Sequence, residues 1–172
     1  MGMTENESKM KRCCFTGHRP EKLLSIMENM ETVEAEIKNR LKTAVRAAIA
    51  DGFETFITGM ARGLDLWAAD VVLEEKKNNP QIKLICAIPF VGFEKRWNIA
   101  DKRHYQTILS HADYVKIVCE HYSMSCFQLR NEYMVDHANR VIAAYNGTSG
   151  GTKNTVNYAR RRGVFVVNIL ED

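Results

Sequence analysis

Thr55-Phe56-Ile57-Thr58-Gly59-Met60-Ala61-Arg62-Gly63-Leu64-Asp65 is a short apolar run that stops at a glycine-bearing turn and passes straight into residues at helical spacing. Leu64, Trp67, Ala68, Val71, Val72 and Glu75 mark that helix, which runs out in Lys76-Lys77-Asn78-Asn79-Pro80. A strand, a tight turn and a helix in immediate succession form half of a βαβ unit, so the stretch predicts a parallel sheet with crossover helices.

The same pattern repeats on both sides. Upstream, Cys13-Cys14-Phe15-Thr16 is an apolar run closed by Gly17-His18-Arg19-Pro20, and Val33, Ile37, Leu41, Ala44, Val45, Ala48 and Ile49 follow at helical spacing until Asp51-Gly52. Downstream, strands are predicted over 82–88, 114–119, 141–145 and 164–170, separated by helical stretches that carry Trp97 to Leu109, Leu129 to Ala138 and Thr152 to Arg162. Most of the six runs are near-continuous apolar runs rather than alternating ones, as strands covered on both faces are. The expected fold class is therefore α/β, a Rossmann-like doubly wound sheet of about six mostly parallel strands with helices on both faces.

With 172 residues, 45% apolar and 26% charged, the chain fits one globular domain over 12–172, preceded by a flexible polar tail over 1–11. Disorder, collagen and a disulfide scaffold are excluded by this composition. A net charge of +3 is too small to predict nucleic-acid binding, which needs many phosphate contacts. Arg160-Arg161-Arg162 is read as a solvated helix end, where cations complement the helix dipole. Cys13, Cys14, Cys86, Cys119 and Cys126 are an odd set without a CxxC pair, which reads as free thiols in a reducing compartment. No apolar run is long enough for a membrane span, and Met1 to Lys9 lacks a signal-peptide core, so a cytoplasmic protein without membrane contact is expected.

In open parallel sheets ligands bind beyond the carboxyl ends of the strands. Three predicted strand ends carry glycines: Gly17, followed by His18 and Arg19; Gly59 and Gly63, with Arg62 and Asp65; and Gly147, Gly150 and Gly151, followed by Thr152. Glycine lets backbone amides approach an anion, and a helix start supplies unpaired N–H groups of favourable dipole sign, so together the loops point to a nucleotide phosphate site. The sequence has no GxGxxG after the first strand and no GxxxxGK[ST], which argues against a simple NAD dehydrogenase or a P-loop protein.

Ile57 to Asp65 resembles the glycine-rich S-G-x-A-R-G-I-D loop of the DNA-processing protein DprA, and Phe15-Thr16-Gly17-His18-Arg19-Pro20 resembles the opening of the small YpsA-like proteins. Arg130-Asn131, Met134, Ala138-Asn139 and Gly150-Gly151-Thr152 are similar to the R-K-x-x-M, A-D and G-G-x-G-T elements of the LOG branch. All three belong to the SLOG superfamily, and over residues 12–170 the YpsA-like family is the nearest match. The resemblance implies a Rossmann-like fold that binds a nucleotide or nucleotide-derived ligand, as sensor or as ligand-processing protein; relatives often self-associate, so a homo-oligomer is an expectation of the same kind. In the LOG hydrolases an Arg and a Glu after the Gly-Thr cleave the N-glycosidic bond of a nucleoside monophosphate. Here Arg130 is present, but Thr155 stands at the Glu position, leaving Asp65 and Glu132 as substitute carboxylates.

Arg62 suits bidentate phosphate contact, with a salt bridge to Asp65 as the structural alternative; Asp65 is placed equally well to cap a helix. His18 and Arg19 are ligand candidates because a loop before Pro20 leaves little core role. Phe90 and Trp97 flank the loop over 89–95, where an aromatic face stacks on a base or joins the core, and Tyr145 is core or pocket wall. His104 and His111, seven positions apart on one helix, stand about 10 Å apart along its axis and cannot share a metal, so no metal site is predicted. The leading expectation is binding of a small nucleotide or ADP-ribose-like ligand. The alternatives are phosphoribohydrolase-type hydrolysis of a nucleoside monophosphate or ADP-ribose-like compound and, ranked last, DprA-like single-stranded nucleic-acid binding.

Overall fold

A computed structural model describes residues 2–24 and 29–171; Met1 and Asp172, the outer ends of the tail and domain ranges read above, lie outside them. The six apolar runs form strands β1 (Arg12–Gly17), β2 (Thr55–Thr58), β3 (Lys83–Phe90), β4 (Tyr114–Cys119), β5 (Arg140–Ala144) and β6 (Phe165–Asn168). They pair in parallel in the order β4-β3-β2-β1-β5-β6. The chain winds outward from β1 to β4, then returns to place β5 against the other side of β1, with Cys14 opposite Val141 and Thr16 opposite Ala143. The loops after β1 and β5 therefore leave a crevice at the switch point between them.

The helices are α1 (Glu5–Met10), α2 (Pro20–Leu23), α3 (Met30–Ala50), α4 (Leu64–Asn78), α5 (Ile99–His111), α6 (Cys126–Asp136) and α7 (Gly151–Arg161). Strand side chains alternate between faces. Cys13 and Phe15 of β1, with Ile142 and Ala144 of β5, face α3, α4 and α5; Cys14 of β1, with Val141 and Ala143 of β5, faces α6 and α7. Phe15 stacks on Phe56 of β2 at 6.1 Å, and both rings are fully buried. Helix starts use short polar caps: the Asn29 side chain accepts from the Thr32 N–H at 2.8 Å, and that of Asn98 accepts from the Asp101 N–H at 2.8 Å.

Two local features escape hydrophobic periodicity. Within 1–11, read as a tail without regular structure, α1 forms because Thr4 and Glu7 make a capping box and Arg12 holds Glu5 at 2.7 Å. β3 runs through Pro89 to Phe90, past the predicted end at Ile88, since Phe90 still pairs with Cys119 of the edge strand β4. That edge is incompletely covered, and Tyr114, Val115 and Ile117 are exposed although their run is apolar.

Candidate functional site

The first two loops interlock. Gly17 ends β1 where a Cβ would lie 2.6 Å from Leu64 Cδ2, so only glycine lets this backbone sit on the first turn of α4. Gly63, the N-cap of α4, has φ 85°, and a Cβ there would lie 2.5 Å from Pro20 Cδ. Between them Met60 is fully buried at φ 61°, a conformation that side-chain-bearing residues adopt only under local constraint. The constraint is visible: the Thr58 hydroxyl accepts from the Met60 N–H at 3.3 Å and donates to the Asp65 carbonyl at 2.8 Å.

His18 ties the first loop to the third. Its N–H donates to the Ala144 carbonyl at 3.2 Å, while its Nε2 accepts from the Asn146 N–H at 3.4 Å and lies 3.4 Å from the Thr148 hydroxyl. The ring also packs on Tyr145, with centroids 5.7 Å apart. Burial lowers its pKa, and with Nε2 accepting from the Asn146 N–H the proton of the neutral ring resides on Nδ1. From α2, Lys22 Nζ donates to the Ser149 carbonyl at 2.8 Å, drawing the third loop towards the first.

At the heart of the edge lie Asp65 and Arg130, both buried. Asp65 Oδ2 accepts from the Ala61 N–H at 3.2 Å. Arg130 Nη1 donates to the Gly59 carbonyl and its Nε to Asn131 Oδ1, the latter at 2.9 Å. A Cβ on Gly59 would lie 2.8 Å from the Asp65 carboxylate and 3.1 Å from the Arg130 Cζ, so this glycine is what allows the two charges to approach. Burial raises the Asp65 pKa against the opposing pull of Arg130 and the Ala61 N–H, and burial likewise lowers that of Arg130 against the attraction of Asp65.

These elements enclose a cleft of about 630 Å³, within the range usual for small-molecule sites. Its wall includes Gly17, His18, Arg19, Arg62, Asp65, Trp97, Arg130, Asn131, Gly151 and Thr152 from the sequence candidates. It also includes residues the sequence did not single out as ligands, notably Lys22, Phe93, Phe127 and Met134. Phe93 lies inside the loop after β3, between Phe90 and Trp97; Phe127 follows the start of α6, where no glycine or charge marks a site. Gly59, Gly63, Gly147, Gly150 and Glu132 are not on the wall: Gly59 and Gly63 shape it from behind, and Glu132 instead accepts from Gln128 Nε2 at 2.9 Å. Phe90 is also off the wall, clustered edge-on with Phe93, Tyr122 and Phe127 at 5.0 to 6.0 Å.

The cleft has two kinds of lining. Arg19, Lys22 and Arg62 bring positive charge, and the first turn of α7 contributes Gly151 and Thr152 with the N-terminal dipole. Phe93, Trp97 and Phe127 bring aromatic surface, with Phe93 and Trp97 edge to face at 5.2 Å. Arg62 is paired with Glu21 at 3.6 Å and Asp101 at 3.7 Å, not with Asp65. Thr155 donates its hydroxyl to the Gly151 carbonyl at 2.9 Å, inside α7. Among the described residues no three His, Cys, Asp or Glu side chains gather as metal ligands, and no helix is long and apolar enough to cross a membrane.

A family model described as the YspA SLOG family matches residues 13–163. UPF0398 proteins of Bacillus thuringiensis strain Al Hakam and Bacillus cereus strain AH187 are each 31% identical over 157 residues, covering 90% of this chain and 85% of the relative. Among solved structures, DNA processing protein A of Streptococcus pneumoniae superposes with a TM-score of 0.62 at 19% identity, over 92% of this chain and 50% of that one. The Helicobacter pylori protein, whose structure concerns its single-stranded DNA binding mode, gives a TM-score of 0.60 at 16% identity, over 94% of this chain and 66% of that one. This chain thus spans half to two-thirds of those proteins, and the likeness is one of fold.

Proposed function

The chain belongs to the YspA SLOG family, and from that premise we propose that the cleft at the β1/β5 switch binds a nucleotide or nucleotide-derived small molecule. The observation that carries this is the double lining of one cleft, with cations and a helix N-terminus for phosphate and Phe93, Trp97 and Phe127 for a base. Arg130 braces the second loop and Asp65 balances its charge, so the phosphate falls to Arg19, Lys22, Arg62 and the α7 amides. Five unpaired cysteines suit a reducing compartment, so the reading places the protein in the cytoplasm.

The test is a thermal-shift panel of nucleoside mono-, di- and triphosphates, NAD, ADP-ribose and cyclic dinucleotides. A ligand at 100 times its Kd adds about 2.7 kcal/mol to stability, so a selective rise in Tm identifies the class. A flat panel removes the proposal.

One observation favours a second reading, hydrolysis of an N-glycosidic bond: Asp65 reaches the cleft wall beside Arg130, and burial raises its pKa against that partner's pull. Release of free base from a nucleoside monophosphate or ADP-ribose, lost in Asp65→Asn, supports it; no turnover on any of these compounds discards it.

A further inference from the structure

Among the described residues the cleft wall carries two carboxylates, Glu21 and Asp65, in opposite situations. Asp65 is buried and committed, accepting from the Ala61 N–H at 3.2 Å. Glu21 belongs to the short helix α2, and its side chain is 61% exposed. Its Oε1 lies 3.6 Å from Arg62 Nη2, close enough for attraction and beyond hydrogen-bonding reach. Arg62 is shared in the same way with Asp101 at 3.7 Å. Asp101, however, is off the wall and already accepts from the Asn98 side-chain amide at 2.8 Å. Glu21 is thus the carboxylate on the wall that keeps its acceptor capacity for a ligand.

Its neighbours fix where in the cleft that capacity sits. Arg19 and Lys22, close by in the chain, line the wall as cations, and Lys22 reaches the Ser149 carbonyl just ahead of α7. On the other side, Arg62 links Glu21 to Asp101 in the first turn of α5, a helix whose N-cap Asn98 directly follows Trp97. Glu21 therefore stands between the cationic and the aromatic parts of the lining. A nucleotide laid across both, phosphate on the cations and base on the rings, brings its sugar to this point. An ionised carboxylate repels phosphate and can only accept hydrogen bonds, and a ribose cis-diol presents two O–H donors to its two oxygens.

Resting on the nucleotide reading of the cleft, we propose that Glu21 accepts the ribose hydroxyls and makes the site select ribonucleotides over their 2′-deoxy counterparts. The diol enters without displacing a hydrogen bond between Glu21 and Arg62, and the guanidinium is left to the phosphate.

The experiment is calorimetric titration of the full-length protein with AMP, GMP, CMP and UMP and with the 2′-deoxy form of each, repeated on Glu21→Ala and Glu21→Gln. In the wild type, a ribonucleotide that binds should do so about tenfold or more tighter than its deoxy partner, as expected for a hydrogen bond to a charged acceptor. In Glu21→Ala the ratio should fall to about one, because the ribonucleotide loses affinity and the deoxy form keeps its own. Glu21→Gln, which retains a carbonyl acceptor, should lie between. Circular dichroism checks the fold of both variants, and the wild-type ratio is decisive without them. If Glu21 merely holds Arg62 in place, Glu21→Ala weakens both forms equally and the ratio persists, which overturns the proposal. A wild-type ratio near one overturns it while leaving the nucleotide reading intact. Binding by none of the eight compounds overturns it as well, and the nucleotide reading then stands or falls on the wider thermal-shift panel.

Discussion

Arg130 on α6 donates from Nη1 to the carbonyl of Gly59 in the loop after β2, 71 positions away in the chain. A second donor, Nε, is taken by Asn131. The guanidinium is therefore part of the frame that holds the second loop as well as part of the cleft wall. Its charge is buried at 6% exposure and is balanced across Gly59 by Asp65.

Removing Arg130 should then destabilise the fold. Arg130→Met leaves the Gly59 carbonyl without its donor and the Asp65 carboxyl with only the Ala61 N–H, at a cost of about 2–4 kcal/mol. In the Arg130→Met/Asp65→Asn double variant part of that loss should return, because the orphaned carboxylate is gone. Urea midpoints of the four proteins measure both effects; a single-variant loss under about 0.5 kcal/mol contradicts the bracing role.

Two glycines separate backbone strain from collision. Gly52 has φ 94° with open space around it, whereas Gly63 has φ 85° and Pro20 in the way. Gly52→Ala should cost about 1 kcal/mol and Gly63→Ala clearly more, about 2–3 kcal/mol. Gly63→Ala should also weaken ligand binding, since it displaces the first loop, while Gly52→Ala leaves binding unchanged. Equal losses in thermal melts would show that Pro20 yields freely.

Stability should vary with pH through His104 of α5 and Asp70 of α4, whose Nε2 and Oδ1 are 2.7 Å apart, with Lys38 of α3 at 3.1 Å from Asp70 and 2.7 Å from Glu34. The Asp70 hydrogen bond raises the His104 pKa above the ordinary 6.5, against burial. Burial opposes the Asp70 charge, but His104 and Lys38 outweigh it and lower its pKa below 3.8. The His104 contribution is complete below pH 6.5 and fades as pH rises through its folded value; that of Asp70 is complete above pH 3.8 and fades as pH falls through its folded value. Asp70→Asn should therefore cost most Tm between about pH 4 and 6.5 and less once pH has risen past the folded His104 value, where only Lys38 remains as a charged partner. A Tm difference that is flat with pH contradicts the coupling.

Fluorescence can report occupancy of the cleft. The sequence has two tryptophans, Trp67 packed in the core and Trp97 on the cleft wall. A bound nucleotide should quench Trp97, so Trp67→Phe keeps the quench and Trp97→Phe loses it. Stacking of this kind is worth about 1–3 kcal/mol per base, and Trp97→Ala should weaken affinity roughly tenfold or more. A quench that survives in Trp97→Phe places the base elsewhere.

The elements and their direction follow from local patterns along the chain. Continuous apolar runs such as Leu84 to Ile88 suit burial on both faces, and glycine turns such as Gly59 to Gly63 fix where a strand hands over to a helix. Those signals are local, and so β1, β2 and β4, the long helices α3 and α4, and the loops that bear Gly17, Arg62 and Gly151 were all legible. α1 was not, because a capping box stabilises a helix without any apolar face.

Which side chains share a space depends on how the elements pack. Strand order places β5 beside β1, and that alone brings His18 to Asn146 and Lys22 to Ser149. The long return from β4 brings Phe127 and Arg130 of α6 to the loops of β1 and β2. It also gave Arg62 the partners Glu21 and Asp101 in place of Asp65, and left Phe90 and Glu132 off the wall. Contacts between residues tens of positions apart depend on how whole helices pack on the sheet, a sum over many side chains that no single stretch of sequence carries.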